Sequence, residues 1–337
     1  MPEETKHPSA SPQDGQAAQE GADGPGEAAQ PPAPEDAAAT QTRAGFVALI
    51  GAPNAGKSTL LNALVGEKVA IVTPKVQTTR MRLRAIAMHG QTQIIFVDTP
   101  GIFHPRKRLD RAMVRAAWAG AEEADEILLV IDAARGLDDD EIRLILSGLA
   151  ERGRPIVAAL NKIDLVKKPI LLEQARQLDE TGLFKRIFMI SAATGDGLLD
   201  LKDYLASNLP AGPFLYPPDQ ITDVTNRVMA AEITREKIYL RLHQELPYDI
   251  TVETESFEEQ ANGHLVIHQV IHVARESQKK IVIGRGGRML KAIGQAAREE
   301  MRTVFGKPVH LFLFVKVSPR WQEDRRHYLM MGLEYVS

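Results

Sequence analysis

Short apolar runs alternate with amphipathic segments through the first two thirds of the chain. The apolar runs occupy residues 45–50, 93–97, 126–131, 155–160 and 186–190, and segments of helical periodicity lie near 57–66, 107–121, 138–152, 168–180 and 197–208. Short apolar runs that end in turn residues are typical of buried strands, and strands that alternate with helices favour a parallel sheet covered on both faces. The pattern predicts an α/β domain over residues 44–212 with a doubly wound, mostly parallel sheet.

The pattern changes after residue 212, where several prolines interrupt it. We interpret residues 213–221 as a linker, because prolines and glycines end regular elements. Beyond it lie a long helical pattern over 222–242, strand patterns at 250–256, 265–273 and 309–317, and a helix–turn–helix around 281–304. Strands segregated from helices predict a small α+β domain over residues 222–337.

The first 43 residues differ from the rest of the chain. They are rich in Ala, Pro, Gly and Glu and contain no Val, Ile, Leu or Phe. Such a segment cannot bury enough apolar surface to offset the entropy cost of ordering it. We therefore expect a disordered acidic tail over residues 1–43, and we assign it no function.

Composition excludes several classes of function. The 337 residues carry a net charge of −3, so nucleic-acid binding would have to come from a local basic patch. The chain has no cysteine, which excludes disulfides and thiolate metal sites. It shows neither a run of about 18 apolar residues nor a secretory signal pattern, so we expect no transmembrane segment and a cytoplasmic location. We also expect a monomer.

The turn after the first apolar run matches the pattern of a phosphate-binding loop. Its residues are Gly51, Ala52, Pro53, Asn54, Ala55, Gly56, Lys57, Ser58 and Thr59. Glycines let the backbone wrap so that its N–H groups point at phosphate oxygens, and the following helix adds its N-terminal dipole. Lys57 would bring positive charge to the β- and γ-phosphates, and Ser58 would place its hydroxyl on Mg²⁺. We expect this loop to bind a nucleotide.

A second candidate turn follows the apolar run at 93–97. Its residues are Asp98, Thr99, Pro100, Gly101 and Ile102. An acid at a strand end beside the phosphate loop can hold the Mg²⁺ shell, and Gly101 allows its N–H to approach a γ-phosphate. Alone, these residues are typical of a plain turn. Their position some 40 residues after the loop favours the nucleotide role.

Two further turns carry the residues of a guanine-reading site. Asn161, Lys162, Ile163 and Asp164 follow the run at 155–160, and Ser191 and Ala192 follow the run at 186–190. A carboxylate accepts two hydrogen bonds from guanine N1–H and the exocyclic amine, which adenine does not offer. We expect Asp164 to read the base, Lys162 to lie over its plane, and a backbone N–H after the last strand to reach guanine O6. The motif predicts GTP and GDP as the ligands.

A polar loop over residues 67–84 carries two candidate switch threonines, Thr78 and Thr79. A threonine hydroxyl there could complete the Mg²⁺ shell only when γ-phosphate is present, which would make the loop an order–disorder switch. We choose Thr79, so the predicted metal ligands are Ser58, Thr79 and Asp98. The alternative is that both threonines are solvated loop residues.

The second domain contains a candidate RNA-binding loop. Gly284, Arg285, Gly286 and Gly287 lie between two helical segments and fit the GXXG loop of a KH domain, which clamps the backbone of about four nucleotides. Residues 275–302 hold eight Lys or Arg against three Glu, and Lys280, Arg288 and Lys291 flank the loop. This local excess of positive charge favours RNA binding. The alternative is a structural turn beside a solvated basic face.

Three histidines recur at every fourth position, His264, His268 and His272. On a helix this spacing would suggest a metal site. The surrounding Val and Ile residues favour a strand instead, with the three rings on one face of a sheet.

Together these motifs resemble the translation-factor-like bacterial GTPases and, more closely, the Era family of ribosome-assembly GTPases. The resemblance covers about residues 44–337 and includes the stretches 76–80, 191–195, 231–238 and 245–248. It implies a P-loop NTPase G domain followed by a type II KH domain. It also implies GTP hydrolysis coupled to maturation of the 30S ribosomal subunit, binding near the 3′ end of 16S rRNA, and partial, peripheral association with the inner membrane.

Ile102 stands where many GTPases hold a water-orienting glutamine, so we expect slow hydrolysis that depends on positioning and charge neutralisation by Lys57, Thr79 and Mg²⁺. Asn54 resembles the residue that binds K⁺ in potassium-activated relatives, which implies K⁺ as an activator. Two alternatives stay open. One is an RNA-binding protein whose nucleotide site turns over negligibly, and the other is a phosphate-loop ATPase or kinase, which Asp164 disfavours.

Overall fold

The first domain forms around a sheet whose strands come from the apolar runs. The computed structural model describes residues 41–76, 78–242 and 246–335. The strands are β1 (Arg43–Ile50), β2 (Leu83–His89), β3 (Thr92–Asp98), β4 (Glu126–Asp132), β5 (Ile156–Asn161) and β6 (Phe184–Met189). The helices are α1 (Lys57–Val65), α2 (Arg108–Glu123), α3 (Asp140–Arg152), α4 (Lys168–Glu180) and α5 (Leu198–Asn208).

The strand order is β2-β3-β1-β4-β5-β6, and neighbouring strands run parallel except β2 and β3. This confirms the predicted doubly wound, mostly parallel sheet. Of the predicted tail, only residues 41–43 lie within the described residues, and Arg43 already belongs to β1.

Strand β2 has no counterpart among the predicted elements. Its apolar positions include two alanines and a methionine, which makes its sequence a weak strand signal. It pairs antiparallel with β3, from Leu83 opposite Asp98 to His89 opposite Thr92, across a turn at Gly90. The hairpin adds an edge strand and leads the chain from the predicted switch loop to Asp98.

Apolar side chains on both faces of the sheet form the core of the first domain. Val47, Leu49 and Phe96 pack on one side with α1 and α5, and Ile131 and Ile145 belong to the cluster on the other side with α2, α3 and α4. Parallel strands buried on both faces bring their carboxyl ends to one edge, where ligands of such sheets bind. The phosphate loop follows β1 at this edge, and Asp98 and Asn161 are the last residues of β3 and β5.

The second domain packs helices on one face of a three-stranded sheet. Its elements are α6 (Asn226–Arg241), β7 (Ile250–Glu259), β8 (Leu265–Val273), α7 (Glu276–Ile283), α8 (Arg288–Phe305), β9 (Val309–Val317) and α9 (Arg325–Met330). The sheet order is β7-β8-β9, antiparallel in the first pair and parallel in the second. The predicted α+β arrangement is confirmed.

Two helices of this domain begin elsewhere than the sequence pattern predicts. Helix α6 starts at Asn226 rather than near residue 222, because Thr222 bridges to Ala85 of β2 and the Thr225 side chain caps the helix. Helix α7 begins at Glu276, five positions before the predicted helix–turn–helix. Both starts depend on tertiary and capping contacts that apolar periodicity does not report.

The C-terminal segment returns to the first domain, which no sequence pattern indicates. Trp321, Tyr328 and Leu333 are buried and form an apolar cluster with Leu109 and Met113 of α2. Trp321 Nε1 also donates a hydrogen bond to the Asp249 carbonyl at 2.9 Å. The segment after β9 therefore joins the two domains.

Of the three periodic histidines, His268 and His272 lie in β8, and His264 directly precedes the strand. His264 stacks on His310, His268 stacks on Phe312, and His272 contacts Glu253 at 3.2 Å. Within the described residues, no group of three or more His, Cys, Asp or Glu residues is arranged to hold a metal ion. No helix in the described ranges combines the length and apolar character needed to cross a membrane.

Candidate nucleotide-binding site

The phosphate loop follows β1 and is shaped by glycines that no other residue could replace without strain. Gly56 has a φ of 96°, and a Cβ there would lie 2.3 Å from Asn161 Nδ2. A Cβ on Gly51 would lie 2.3 Å from the Val130 carbonyl oxygen. The loop therefore sits directly against the ends of β4 and β5, and its close approach explains the glycine spacing.

Lys57 begins α1, and its side chain folds back over the loop. Its ammonium donates hydrogen bonds to the carbonyls of Gly51 and Ala52, each at 3.0 Å. Burial lowers the pKa of Lys57 to about 8, against the opposing effect of the nearby Asp98 carboxylate. Lys57 is therefore a buried cation at the predicted phosphate site.

The three predicted metal ligands converge. Ser58 Oγ lies 2.9 Å from both Asp98 Oδ2 and Thr79 Oγ1, and Thr79 Oγ1 lies 3.1 Å from Asp98 Oδ2. Asp98 is fully buried, and burial raises the pKa of its carboxyl despite Lys57 and the hydroxyl donors. Among the described residues its other oxygen, Oδ1, is buried and has no hydrogen-bond partner.

The structure separates the two switch threonines. Thr79 reaches Asp98, whereas the Thr78 hydroxyl bonds to the Lys75 carbonyl at 2.7 Å and to Thr73 Oγ1 at 2.6 Å. This placement supports Thr79 as the metal ligand. Gln77, within the family-like stretch 76–80, lies outside the described residues, as does Glu245 of the stretch 245–248.

Residues after β3 support the loop more than they face a ligand. Thr99 Oγ1 donates to the Leu49 carbonyl at 2.7 Å, which ties β3 to β1. A Cβ on Gly101, next to Pro100, would lie 3.0 Å from Pro53. Ile102 is completely buried in the apolar cluster beside α2 and α3, and its N–H donates to the Gly51 carbonyl. Ile102, which stands where many GTPases hold a water-orienting glutamine, is thus part of the apolar core.

Asn161 joins three segments of the site. Its Nδ2 donates to the Ala55 carbonyl and its Oδ1 accepts from the Ala192 N–H, both at 2.9 Å. The Ala192 N–H therefore binds Asn161 here, and its role toward guanine O6 stays a prediction. Ser191 contributes through its hydroxyl, which lies 2.5 Å from Asp164 Oδ1 and so orients the carboxylate.

Lys162 crosses back to the phosphate loop from a left-handed backbone conformation, with φ at 67°. Its ammonium donates to the Asn54 carbonyl at 2.8 Å and pairs with Asp132 Oδ2 at 2.6 Å. Ile163 opens the short 3-10 helix Ile163–Leu165 that carries Asp164. Asp132 was not among the predicted site residues, although its place at the end of an apolar run was a usable signal.

Asn54, the predicted K⁺ residue, is exposed at the tip of the phosphate loop with a φ of 64°. Its Nδ2 donates to the Pro74 carbonyl in the switch loop at 3.1 Å. Asn54 therefore links the phosphate loop to the segment that carries Thr79.

Several of these side chains border one cleft of about 710 Å³, a size typical of small-molecule sites. Its lining includes Lys57, Ser58, Thr79 and Lys162, together with Arg135, which follows β4. The structure thus brings together residues of the phosphate loop, two of the predicted metal ligands, and Lys162 of the guanine-reading motif.

The GXXG segment forms the turn between α7 and α8. Gly284, Gly286 and Gly287 have φ values of 72°, 61° and 74°. A Cβ on Gly284 would lie 2.7 Å from Met289 Cβ, whereas Gly286 and Gly287 face open space. The basic side chains predicted to bind RNA, Lys280, Arg285, Arg288 and Lys291, are all exposed.

Comparison with known proteins gives matches over nearly the whole described chain. Residues 46–162 match a family described as 50S ribosome-binding GTPase, and residues 245–322 match the KH domain family. The chain is 57% identical over 299 residues to the GTPase Era of Rhizobium meliloti (strain 1021), covering 89% of this chain and 95% of that protein. It is 56% identical over 304 residues to the GTPase Era of Brucella suis biovar 1 (strain 1330), covering 90% and 97%.

The chain belongs to the Era family of GTPases. The family resemblance, the order of G domain and KH domain, and the assignment as a GTPase are confirmed. The roles of individual residues are not tested by this similarity and stay predictions.

Solved Era structures share the fold. One is a Tyr-to-Ala variant of Aquifex aeolicus Era bound to GDP and AlF4⁻, at 38% identity and a TM-score of 0.81. Another is Era in complex with MgGDPNP and nucleotides 1506–1542 of 16S ribosomal RNA, at 38% identity and a TM-score of 0.82. Each match covers 86% of this chain and 99% of the other.

Proposed function

We propose that this Era-family protein is a Mg²⁺-dependent GTP switch that binds 16S rRNA through its KH domain and acts in assembly of the 30S subunit. The observation that carries the proposal is the convergence of Ser58 and Thr79, which line the cleft together with Lys57, on the buried carboxylate of Asp98. The relative solved with MgGDPNP and 16S rRNA nucleotides supports the same pairing of ligands. The limits 44–212, 213–221 and 222–337 are the proposed domain boundaries.

The residues at the metal site fit Mg²⁺. Hydroxyl and carboxylate oxygens are the ligands that this ion prefers. Asp98 Oδ1 is buried without a hydrogen-bond partner among the described residues, so it is available to coordinate a cation. Ser58, Thr79 and Asp98 would hold the ion. Bound there, Mg²⁺ neutralises charge on the phosphate oxygens.

The chain's own residues would act mainly by positioning. Lys57, whose pKa of about 8 keeps it mostly protonated at neutral pH, supplies fixed positive charge to the phosphates. Gly101 borders the cleft, so its N–H would approach a γ-phosphate bound there. Ile102 is buried and orients no water, so the intrinsic attack of water on the γ-phosphate should be slow.

We also propose that K⁺ binds beside Asn54 and accelerates GTP hydrolysis. The hydrogen bond from Asn54 Nδ2 to the Pro74 carbonyl brings the Asn54 side chain next to a main-chain oxygen of the switch loop, and oxygens of this kind are the ligands of hard cations. Single-turnover hydrolysis in K⁺ and in Na⁺, for the wild type and Asn54→Ala, tests this. Equal rates in both salts would remove the K⁺ role. No hydrolysis in either salt, with or without rRNA, would favour an RNA-binding protein of negligible turnover.

RNA binding is proposed for the GXXG loop because three glycines with positive φ leave its backbone open between exposed basic side chains. Gly286→Asp should weaken binding of a 16S rRNA 3′ fragment and spare GTP binding. Gly263→Asp is the matched control, since Gly263 also has positive φ and open space but lies in the β7–β8 turn. Equal loss in both variants, or none in Gly286→Asp, would contradict the assignment.

Footprinting of the 16S rRNA fragment with a GTP analogue and with GDP tests the ligand and the switch together. Protection near the 3′ end that changes with the nucleotide supports the proposal, and nucleotide-independent protection contradicts the switch.

Peripheral membrane association is a further proposal taken from the family resemblance, and co-flotation with inner-membrane vesicles tests it.

A further inference from the structure

The segment that carries Thr79 is bound on both sides of this residue to the second domain. On one side, Arg235 of α6 donates a hydrogen bond to the Thr78 carbonyl. On the other side, the Arg80 side chain donates hydrogen bonds to groups of the second domain. The predicted metal ligand is thus the middle residue of three, and its two neighbours are held by another domain.

Arg80 is only 2% exposed, and its guanidinium is surrounded by oxygens of the second domain. Nη1 donates to the Ile250 carbonyl at 2.7 Å, and Nη2 donates to Tyr239 Oη and to the Tyr248 carbonyl, both at 2.8 Å. The same group lies 5.6 Å from the Trp321 ring. A planar guanidinium fits several acceptors at once, so a lysine would not reproduce this anchor.

One face of α6 takes part in several of these contacts. Glu232, Arg235, Glu236 and Tyr239 follow the i, i+3, i+4, i+7 spacing of a helix face. Glu236 accepts from the Val72 N–H and from Lys68, both at 2.9 Å. Both ends of the switch segment therefore contact buried side chains of α6. Lys68 and Val72 contact Glu236. Thr78 contacts Arg235, and Arg80 contacts Tyr239.

The RNA-binding helix reaches the same segment. Helix α8 starts at Arg288, directly after the GXXG loop, and its Glu300 pairs with both Lys68 of the first domain and Lys237 of α6. Glu300 therefore connects the second domain, which carries the proposed RNA-binding loop, to the switch segment of the first domain, which carries Thr79.

We propose that Arg80 is a positioning residue of the nucleotide site: anchored in the KH domain, it holds Thr79 beside Ser58 and Asp98, so that docking of the KH domain strengthens binding of Mg²⁺–GTP over GDP. This inference rests on the proposed Mg²⁺–GTP role of the site and names its regulation. Because linkage is reciprocal, GTP must favour the docked arrangement as much as docking favours GTP.

The test compares dissociation constants for Mg²⁺–GDPNP and for GDP in the full chain. Arg80→Ala should weaken Mg²⁺–GDPNP binding by roughly 5- to 100-fold, the usual range of coupling between sites. GDP affinity should stay within about twofold, because Thr79 is expected to act only when γ-phosphate is present. Arg82→Ala is the matched control, since Arg82 lies two positions away but pairs with Glu123 of its own domain at 2.6 Å.

A double-mutant cycle separates positioning from general support of the fold. In a Thr79→Ala background, Arg80→Ala should cause little further selective loss, because both changes remove the same contact. Equal loss of GDPNP and GDP affinity, or additive losses in the double variant, would overturn the proposal.

If Arg80→Ala does not fold, Tyr239→Phe carries the test. It removes one acceptor of Arg80 and keeps the ring, so it should cause a smaller loss with the same selectivity for GDPNP. An unchanged GDPNP-to-GDP ratio in a folded Tyr239→Phe protein would overturn the positioning role. A wild type that shows no Mg²⁺-dependent preference for GDPNP would instead overturn the proposed function itself.

Discussion

Asp98→Asn should change the stability of the ligand-free protein only slightly but abolish the Mg²⁺-dependent rise in Tm that nucleotide causes. The wild-type carboxylate is fully buried, accepts hydrogen bonds from Ser58 and Thr79, and leaves Oδ1 unpartnered among the described residues. An asparagine keeps a carbonyl oxygen for the two hydroxyls and removes a buried negative charge, which by itself costs several kcal/mol to bury. The lost attraction to Lys57 opposes this gain.

The two effects in the ligand-free protein should nearly offset, leaving a change in the free energy of unfolding of about 1–2 kcal/mol or less. With Mg²⁺–GDPNP at 100 times its dissociation constant, the wild type gains about 2.7 kcal/mol from binding. For a domain of this size that gain raises Tm by roughly 5–11 °C. The variant lacks the charged metal ligand, so its shift should fall to the value measured in EDTA.

Calorimetric melting with and without Mg²⁺–GDPNP measures both quantities. Asp125→Asn is the control, because Asp125 lies at the opposite end of the sheet, where it accepts from the Phe46 N–H at 2.7 Å. The control should keep the full Mg²⁺-dependent shift. A full shift in Asp98→Asn, or a large loss of stability without ligand, would refute this account of the site.

Three other changes have defined outcomes. Gly56→Ala should abolish nucleotide binding, since its Cβ would lie 2.3 Å from Asn161 Nδ2, whereas Gly66→Ala, which meets open space at a similar φ, should only lower Tm slightly; equal effects would contradict the close-approach argument. Lys57 has a pKa of about 8 in the folded state against 10.5 ordinarily, so the unfolded chain binds more protons between these values. Ligand-free stability relative to Lys57→Met should therefore rise by up to about 3 kcal/mol from pH 8 to 10.5, and a flat difference in urea melts would disprove it. Asp164→Asn should shift preference from guanosine to xanthosine nucleotides in competition binding, and unchanged GTP affinity would exclude Asp164 as the guanine reader.

The phosphate loop and the Asn161–Asp164 turn could be predicted because each is a contiguous group of residues directly after an apolar strand. Parallel strands bring their carboxyl ends together, so the meeting of Asp98 with Ser58 follows from the fold class. Thr79 could be placed near the metal site, but its separation from Thr78 depends on the hydrogen bonds of Thr73 and Lys75.

Contacts between distant residues could not be predicted. Arg80 bonds to Tyr239 and Ile250, which lie 159 and 170 positions away, and nothing in the local sequence marks it as buried. Asp132 could be noticed at the end of an apolar run, but its pairing with Lys162 could not be predicted from that position. The packing of Trp321 against α2 is equally invisible in a single sequence, because it joins the two domains.

The most direct measurement of the central claim, a GTP switch coupled to an RNA-binding domain, is the affinity of the full chain for a 16S rRNA 3′ fragment in GDPNP and in GDP. The wild type should bind the fragment with different affinities in the two states, and Arg80→Ala should bind it with nearly the same affinity in both. Arg82→Ala should behave as the wild type. Equal affinities of the wild type in GDPNP and GDP would contradict the claim.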